Sequence, residues 1–529
     1  MTSKTLQFGL VLAVMCASLM SAHTSNAASF SLLDDKVRGT FDSTLTYGVA
    51  WRVGAPSSAL DTPTNGGNYN FDPGDLVSNR FTGTHELGIA GDNYGAFFRA
   101  TYFYDSAMDR ADLTVPGFST GSITDKEAVS EVDLLDAYVY GKYGPLTVRI
   151  GKQVISWGEN TFIQGSLNDI NTTDVSKLRV PGSELKVALL PNEAIHAAFE
   201  LTRSTTVEAF WLADFDEAQL DPAGTFWNTA TFVADGGYQL GPLRRSGDIY
   251  AKNSGQWGVA VRYFAPTLWT GFDFGLYYMK LHSHSPLLSS RAGVPFAHPM
   301  LPRASYMLEY PENIKYVGVS FNTNVAGWAW SGEISHRSNA PVQLDGFVEA
   351  ALGAPVALTG GVPVAPGAYI RGWDRLEVNQ FQTTLQRIHI PHMIRADQGV
   401  FLAEFAVNWV NNKPRLPTFE PITHSSGGYQ IRYGVDYNRA LANVINLSPS
   451  VALRHDVWGV SSESGGSKLF IDNRKSISVG LNWSYLVDLE GSISYTMNFD
   501  GGGAKNAAGS PLYGDKDRRW VSLSVSYQF

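Results

Sequence analysis

Residues 37–53 carry Val, Gly, Phe, Ser, Leu, Tyr, Val, Trp and Val at the odd positions, and Arg, Thr, Asp, Thr, Thr, Gly, Ala and Arg at the even ones. A period of two puts successive side chains on opposite faces of an extended chain. Strands of soluble sheets run to about 5 or 6 residues, whereas a strand tilted across a bilayer needs about 9 to 11. The length of this run therefore points to a membrane-spanning strand with one greasy and one wet face.

The same alternation returns throughout the chain. Tyr429, Ile431, Tyr433, Val435 and Tyr437 alternate with Gln430, Arg432, Gly434, Asp436 and Asn438, and Ile477, Val479, Leu481, Trp483 and Tyr485 alternate with Ser476, Ser478, Gly480, Asn482 and Ser484. The last residues, Val521, Leu523, Val525, Tyr527 and Phe529, alternate with Ser522, Ser524, Ser526 and Gln528. This resembles the terminal strand signal of outer-membrane barrels. Lipid offers backbone N–H and C=O groups no partner, so strands can cross it only as a closed sheet. Aromatics such as Tyr47, Trp51, Tyr429, Trp483 and Tyr527 fall on the apolar phase, as interfacial girdles require.

Connection lengths agree, since short joins at residues 91–93, 143–145, 202–205, 265–270, 322–327 and 487–490 alternate with long Gly- and Pro-containing stretches. The expected fold is all-β: a closed antiparallel transmembrane β-barrel of about 18 strands, with short periplasmic turns and long extracellular loops. The number falls to 16 if a weak segment such as residues 185–201 or 373–388 is not a strand.

Lys4, the uncharged residues 5–20 and the small residues up to Ala27 and Ala28 follow the plan of a secretory signal peptide. Residues 1–28 are expected to be that signal and residues 29–529 a single barrel domain, located in the bacterial outer membrane. Met15 before Cys16 argues against a lipoprotein, and loss of Cys16, the sole cysteine, would leave no disulfide. Loss of Lys4 would take the formal charge from −9 to −10, a sign that argues against nucleic acid as a partner. A first strand beginning at about Val37 leaves no room for an N-terminal plug domain.

Charged and amide residues on the polar phase are candidates to line the lumen: Arg52, Arg99, Arg149, Gln153, Glu208, Arg262, Glu333, Glu404, Arg432, Asp436, Arg454 and Asp456. They read either as a transverse field that selects solute or as a ladder of satisfied ion pairs. The stretch from Arg149 onward leaves a strand and enters a long segment, so Trp157, Glu159, Asn171 and Asp174 are candidates for a constriction loop folded inward; a surface loop is the alternative. Loops near residues 286–301 and 347–364 are apolar, which suits either a surface that receives a hydrophobic solute or mutual packing that caps the barrel.

Signals for enzyme chemistry are weak. Ser119 sits in a Gly-x-Ser-x-Gly string without a strand-turn-helix setting. The pairs His282 with His284 and His389 with His392 lack accompanying ligands at metal spacing, and Asp72 to Asp75 reads as a turn as readily as a cation loop. No catalytic residue, metal or cofactor is expected.

Residues 47–52, 70–75, 149–159, 170–174 and 178–190, above all Gly151-Lys152-Gln153-Val154-Ile155-Ser156-Trp157-Gly158-Glu159, resemble the proteobacterial outer-membrane proteins of domain-of-unknown-function family 1302. The resemblance covers nearly all of the chain after the signal. It implies a barrel whose relatives are encoded beside a periplasmic lipid-carrier-like protein and a resistance-nodulation-division exporter, hence traffic in hydrophobic molecules. It supplies no catalytic residues. The function expected is a conduit for hydrophobic or amphipathic small molecules or lipids, in contact with outer-membrane lipid and lipopolysaccharide. A general diffusion porin for small polar solutes is the alternative, and a barrel-type hydrolase or an adhesin comes after it.

Overall fold

The computed structural model describes residues 28–111, 113, 127–296, 298, 300–411, 421–462, 468–501, 503–505 and 512–529; the expected signal through residue 27 and the string around Ser119 lie outside them. Among the described residues eighteen long strands form the wall. They are β1 (Val37–Arg52), β2 (Leu76–Ala90), β3 (Tyr94–Asp105), β4 (Ser130–Tyr143), β5 (Leu146–Gln153), β6 (Asn192–Thr202), β7 (Thr205–Leu212), β8 (Trp257–Ala265) and β9 (Phe272–Leu281), followed by β10 (Ile314–Val325), β11 (Trp328–Gln343), β12 (Trp373–His389), β13 (Gln398–Asn411), β14 (Ser425–Leu441), β15 (Ile445–Trp458), β16 (Arg474–Tyr485), β17 (Leu489–Asp500) and β18 (Arg519–Gln528).

Each strand pairs antiparallel with the next, and β1 pairs with β18 from Thr44↔Gln528 to Arg52↔Trp520, which closes the barrel. Ser43 and Phe529 then exchange both backbone hydrogen bonds, at 2.8 and 2.9 Å. Beyond Phe529 the edge of β1 is covered by the short N-terminal strand Ala28–Leu32, paired Ala28↔Phe41 to Leu32↔Val37. Among the described residues closure gives every wall strand a neighbour on both sides.

The two phases separate as periodicity predicts. On β8, Val259, Val261 and Tyr263 face outward and are exposed, while Ala260 between them is buried. Leu276, Val317, Val319, Val451, Val479 and Ile493 continue the outer belt, which in water would be an unusually large apolar surface. The inner phase carries serines, threonines, amides and charges: Ser320, Glu333, Gln382 and Glu404 are buried. The strands run from 8 to 17 residues, and most reach or exceed the about 9 to 11 of a tilted crossing.

Every short join foreseen from sequence contains a turn at one end of the barrel, although residues 322–325 and 489–490 belong to the strands, and residues 390–397 and 442–444 add two more there. One strand expectation is corrected. Leu185, Val187 and Leu189 alternate as a strand would, yet Leu185–Ala188 is a helical turn, Leu189–Leu190 pairs with Thr172–Thr173, and β6 starts only at Asn192.

The long loops fill and cap the other end. A five-stranded sheet joins Gln239–Leu240, Leu243–Arg245, Ser305–Glu309, Leu287–Arg291 and Tyr369–Ile370, with the helix Phe347–Ala351 beside it. Leu288, Tyr306, Leu308, Phe347 and Ala351 share one buried cluster, so much of the apolar loop sequence packs on itself; Phe296, Met300 and Val362 stay exposed. Asp72 to Asp75 is a tight turn in which the Asp72 amide donates to the Asp75 carboxylate and the Asp75 amide to the Asp72 carbonyl.

Candidate functional site

The lumen is organised by residues 154–191, which leave β5 and turn inward. Ile155 and Trp157 cannot remain on a solvated rim without exposing large apolar surface, and they bury against the wall, each about 1% exposed. The Trp157 ring lies 4.8 Å from Phe210 and 5.7 Å from Tyr277. Its Nε1–H donates to Glu208 Oε2 at 2.9 Å, and the other Glu208 oxygen holds Arg262 Nε at 2.8 Å.

Crossing toward β11–β13, the loop presents its backbone N–H groups to two buried carboxylates. Glu404 Oε2 accepts from Thr161 N at 2.7 Å and Phe162 N at 2.9 Å, while Oε1 accepts from Ile163 N at 2.8 Å. Glu333 accepts from Glu159 N, from Leu167 N at 3.3 Å and from Gln382 Nε2 at 3.0 Å. Each side satisfies the other: buried carboxylates need donors, and an irregular buried loop needs acceptors. Gly158, at φ +87°, permits the approach, since a Cβ there would stand 2.4 Å from Glu333 Oε2.

The loop then returns to the seam between β1 and β18. Pro181 rests on Gly48, where a Cβ would meet the Pro181 carbonyl oxygen at 2.4 Å, and Gly182, at φ +74°, fits against Thr46 and Ser524. Lys177 Nζ bridges Glu131 at 2.9 Å and Asp174 at 3.0 Å; burial alone would lower its pKa, but these two carboxylates raise it above the usual lysine value. Lys186 reaches Glu86 at 3.0 Å. Burial raises the Glu159 carboxyl above its ordinary value, although Asn322 donates to it at 3.0 Å.

The remaining residues singled out from sequence occupy distinct places. Arg52, fully buried at the long-loop end, donates to the carbonyls of Gly54 and Phe71 at 2.7 and 2.9 Å. Arg99 bridges Glu86 and Asp136 at 2.8 and 2.6 Å. Arg149 lies over the Tyr138 ring at 5.7 Å, and Gln153 donates to the Ala194 carbonyl at 3.0 Å. Asn171 ties the loop back on itself through both backbone groups of Ile155, at 2.9 and 2.6 Å. Asp174 accepts from the Ser176 amide at 2.9 Å.

Among the described residues two cavities lie one above the other along β14 and β15. The upper, nearer the long loops, has a volume of about 540 Å³ and includes Gln430, Arg454, Asn171 and Asp169 in its lining. The lower, about 710 Å³, includes Arg432, Asp436, Ser450, Ser492 and Ser526. Gln430 and Arg432 are successive inward positions of one strand, so the cavities abut. Arg454 joins Asp456 at 3.1 Å, which also holds Arg474 at 2.6 Å. Arg337, Arg474 and Lys468 line the upper cavity without having been singled out. The first two share the inward phase with Glu333 and Ser476 respectively, a signal the periodicity contains; Lys468, in a loop, has none. Among the described residues no group of three or more His, Cys, Asp and Glu stands together as a metal would require.

Several solved structures resemble this one. OccK9 (OpdG) of Pseudomonas aeruginosa aligns over 94% of this chain and 100% of its own at 9% identity, with a TM-score of 0.45. OpdK of the same organism, solved with vanillate, gives the same coverage, 9% identity and a TM-score of 0.45. OccAB4 of Acinetobacter baumannii aligns over 93% of this chain and 98% of its own at 10% identity, with a TM-score of 0.44. A search of curated proteins found no match. By a match that runs over residues 8–529, the chain belongs to the family described as "Protein of unknown function (DUF1302)".

Proposed function

We propose that this protein is an outer-membrane conduit for amphipathic or hydrophobic small molecules, with residues 154–191 as the constriction that makes passage selective. The observation that carries the reading is the loop anchored on Glu333 and Glu404, which narrows a closed barrel to two abutting cavities. The apolar outer belt suits a bilayer, and the signal-like start of the chain suits export. A cavity of about 540 Å³ falls within the range of about 300–1,000 Å³ typical of small-molecule sites. The family resemblance adds a lipid-carrier-like partner at the short-turn end as the source or recipient of cargo.

A general diffusion porin is less well supported, because the carboxylates that would serve as a free filter are engaged by the loop backbone. Planar-bilayer recording of the purified protein tests the choice. The conduit reading expects small or intermittent steps; large, steady open currents from the unmodified protein would replace it with the porin reading.

A further inference from the structure

The wall carries apolar side chains outside and polar ones inside, and β12 and β13 break that rule toward the short-turn end. Leu402 pairs with Arg432, and Val400 pairs with Gly434 and with Ile388, so these three apolar residues share the inward phase of Glu404 and Arg432. Val400 and Leu402 line the lower cavity half-buried, and Ile388, across the ladder from Val400, is 60% exposed. The outward phase of β13 carries Phe401 and Phe405. A strand apolar on both phases is the pattern of one that meets apolar matter on both faces, and a solvated lumen alone gives the inner face no reason to be greasy.

Around the same cavity the wall is hydroxylated. Ladder register sets Ser448, Asn482, Ser492 and Ser524 in one inward row across β15 to β18. The Ser492 and Ser524 hydroxyls lie 2.8 Å apart, and those of Ser526 and Thr46 in the next row 2.9 Å apart. A hydroxyl has one donor and two lone pairs, so each pair, after its internal bond, keeps one O–H and three lone pairs for a ligand. Among the described residues of the lining, Arg432 is the one cation beside three carboxylates, Glu184, Asp436 and Glu490, of which Glu184 is held by Lys186 at 3.1 Å. That balance disfavours an anion.

We propose that the lower cavity binds uncharged amphipathic molecules with hydroxyl groups along one side. The hydroxyls lie on the serine rows of β15 to β18, and the apolar side lies on Val400 and Leu402. The inference rests on the conduit reading, because Gly182 and Ser183 of the inward loop line the cavity and so place it on the path past the constriction.

Titration calorimetry of the full-length protein in lipid nanodiscs, corrected for empty discs, tests it with 2-naphthyl β-glucoside, glucose and 2-naphthoate. We expect the glucoside to bind at least about tenfold more tightly than glucose or naphthoate. Leu402→Ser, and the double variant Ser492→Ala, Ser524→Ala, should each weaken it by about tenfold, the scale of one partly buried aliphatic side chain or of two neutral hydrogen bonds. Arg371→Gln, on the exposed cap, should leave binding unchanged. Should Leu402→Ser fail to fold, Val400→Thr serves in its place. Glucose or naphthoate binding as tightly as the glucoside, or undiminished binding in folded variants, overturns the proposal. Conductance of the same preparation separates the two readings: glucoside binding to a protein with the currents of an open porin removes the conduit and keeps the site, whereas small gated currents without glucoside binding do the reverse.

Discussion

The Glu404 carboxylate and the Ile163 amide, 241 positions apart in sequence, meet at 2.8 Å inside the barrel. Together with Thr161 and Phe162, Ile163 gives this carboxylate three adjacent backbone donors. Glu404→Gln keeps one acceptor oxygen and turns an NH2 toward the donors. Hydrogen bonds to charged groups contribute about 1.5–3 kcal/mol each, and about 1.4 kcal/mol is tenfold in a population, so loss of even one should free the loop about tenfold more often. Single-channel recording should show a larger conductance with more frequent openings; a variant identical to the parent would mean that the loop is held elsewhere.

At its far end the loop depends on an absent side chain. A Cβ at position 48 would lie 2.4 Å from the Pro181 carbonyl oxygen. Gly48→Val should push the loop tip off the β1–β18 seam and raise conductance, while the nine residue pairs of the seam keep the melting temperature within a few degrees. Unfolding of the barrel instead would show that the seam, not the loop, absorbs the clash.

Arg518 pins the long-loop end of the lumen. Fully buried, it donates to the Phe226 carbonyl at 2.7 Å and to Asn65 at 2.8 Å, and it pairs with Asp517 at 3.0 Å. Removing one partner of a buried charged network costs on the order of 3–5 kcal/mol. Arg518→Ala should make the segments around Asn65 and Phe226 accessible to added protease in intact cells, whereas the unmodified protein resists cleavage there.

The cap should be pH-sensitive through Asp214, in the loop after β7. Burial, with Asp216 and Glu193 adding repulsion, pushes its carboxyl up to about 6 from an ordinary 3.8. Between those values the folded state keeps a proton that the unfolded state has released, so stability falls as pH rises through the window and is level above it. Asp214→Asn should therefore melt at a higher temperature than the parent at pH 7, and the gap should close by pH 4. A gap that persists at pH 4 would assign the effect to packing.

The wall was legible because its code is local. Alternation marks the outer and inner phases, and counting candidate strands in that register, with short joins alternating with long ones, gives about 18 with 16 as the other value, against the eighteen described. It erred at Leu185–Ala188, where an alternating string makes a helical turn because it lies inside the barrel against the inner face of the wall, Val187 beside Leu135 and Lys186 on Glu86, rather than in the wall's ladder. The roles of Glu333 and Glu404 were illegible for another reason. Their phase placed them inward, but their partners are backbone amides some 160 to 240 positions away, and amides leave no mark in sequence. Arg337 and Arg474 had the right phase and passed unremarked, while the cap's self-packing depends on which apolar loops meet, which periodicity does not encode.

Ser166 Oγ and Ser335 Oγ lie 2.8 Å apart, one on the inward loop and one on β11. Side chains in hydroxyl contact can approach as a disulfide requires, its S–S bond being about 2.05 Å, and Cys16 is the sequence's sole cysteine, within the expected signal. Mass spectrometry of oxidised Ser166→Cys, Ser335→Cys protein in its membrane should find the two peptides joined in nearly every molecule. Two free thiols in a folded barrel would mean that the lumen is not crossed, and the selective conduit would fall with it.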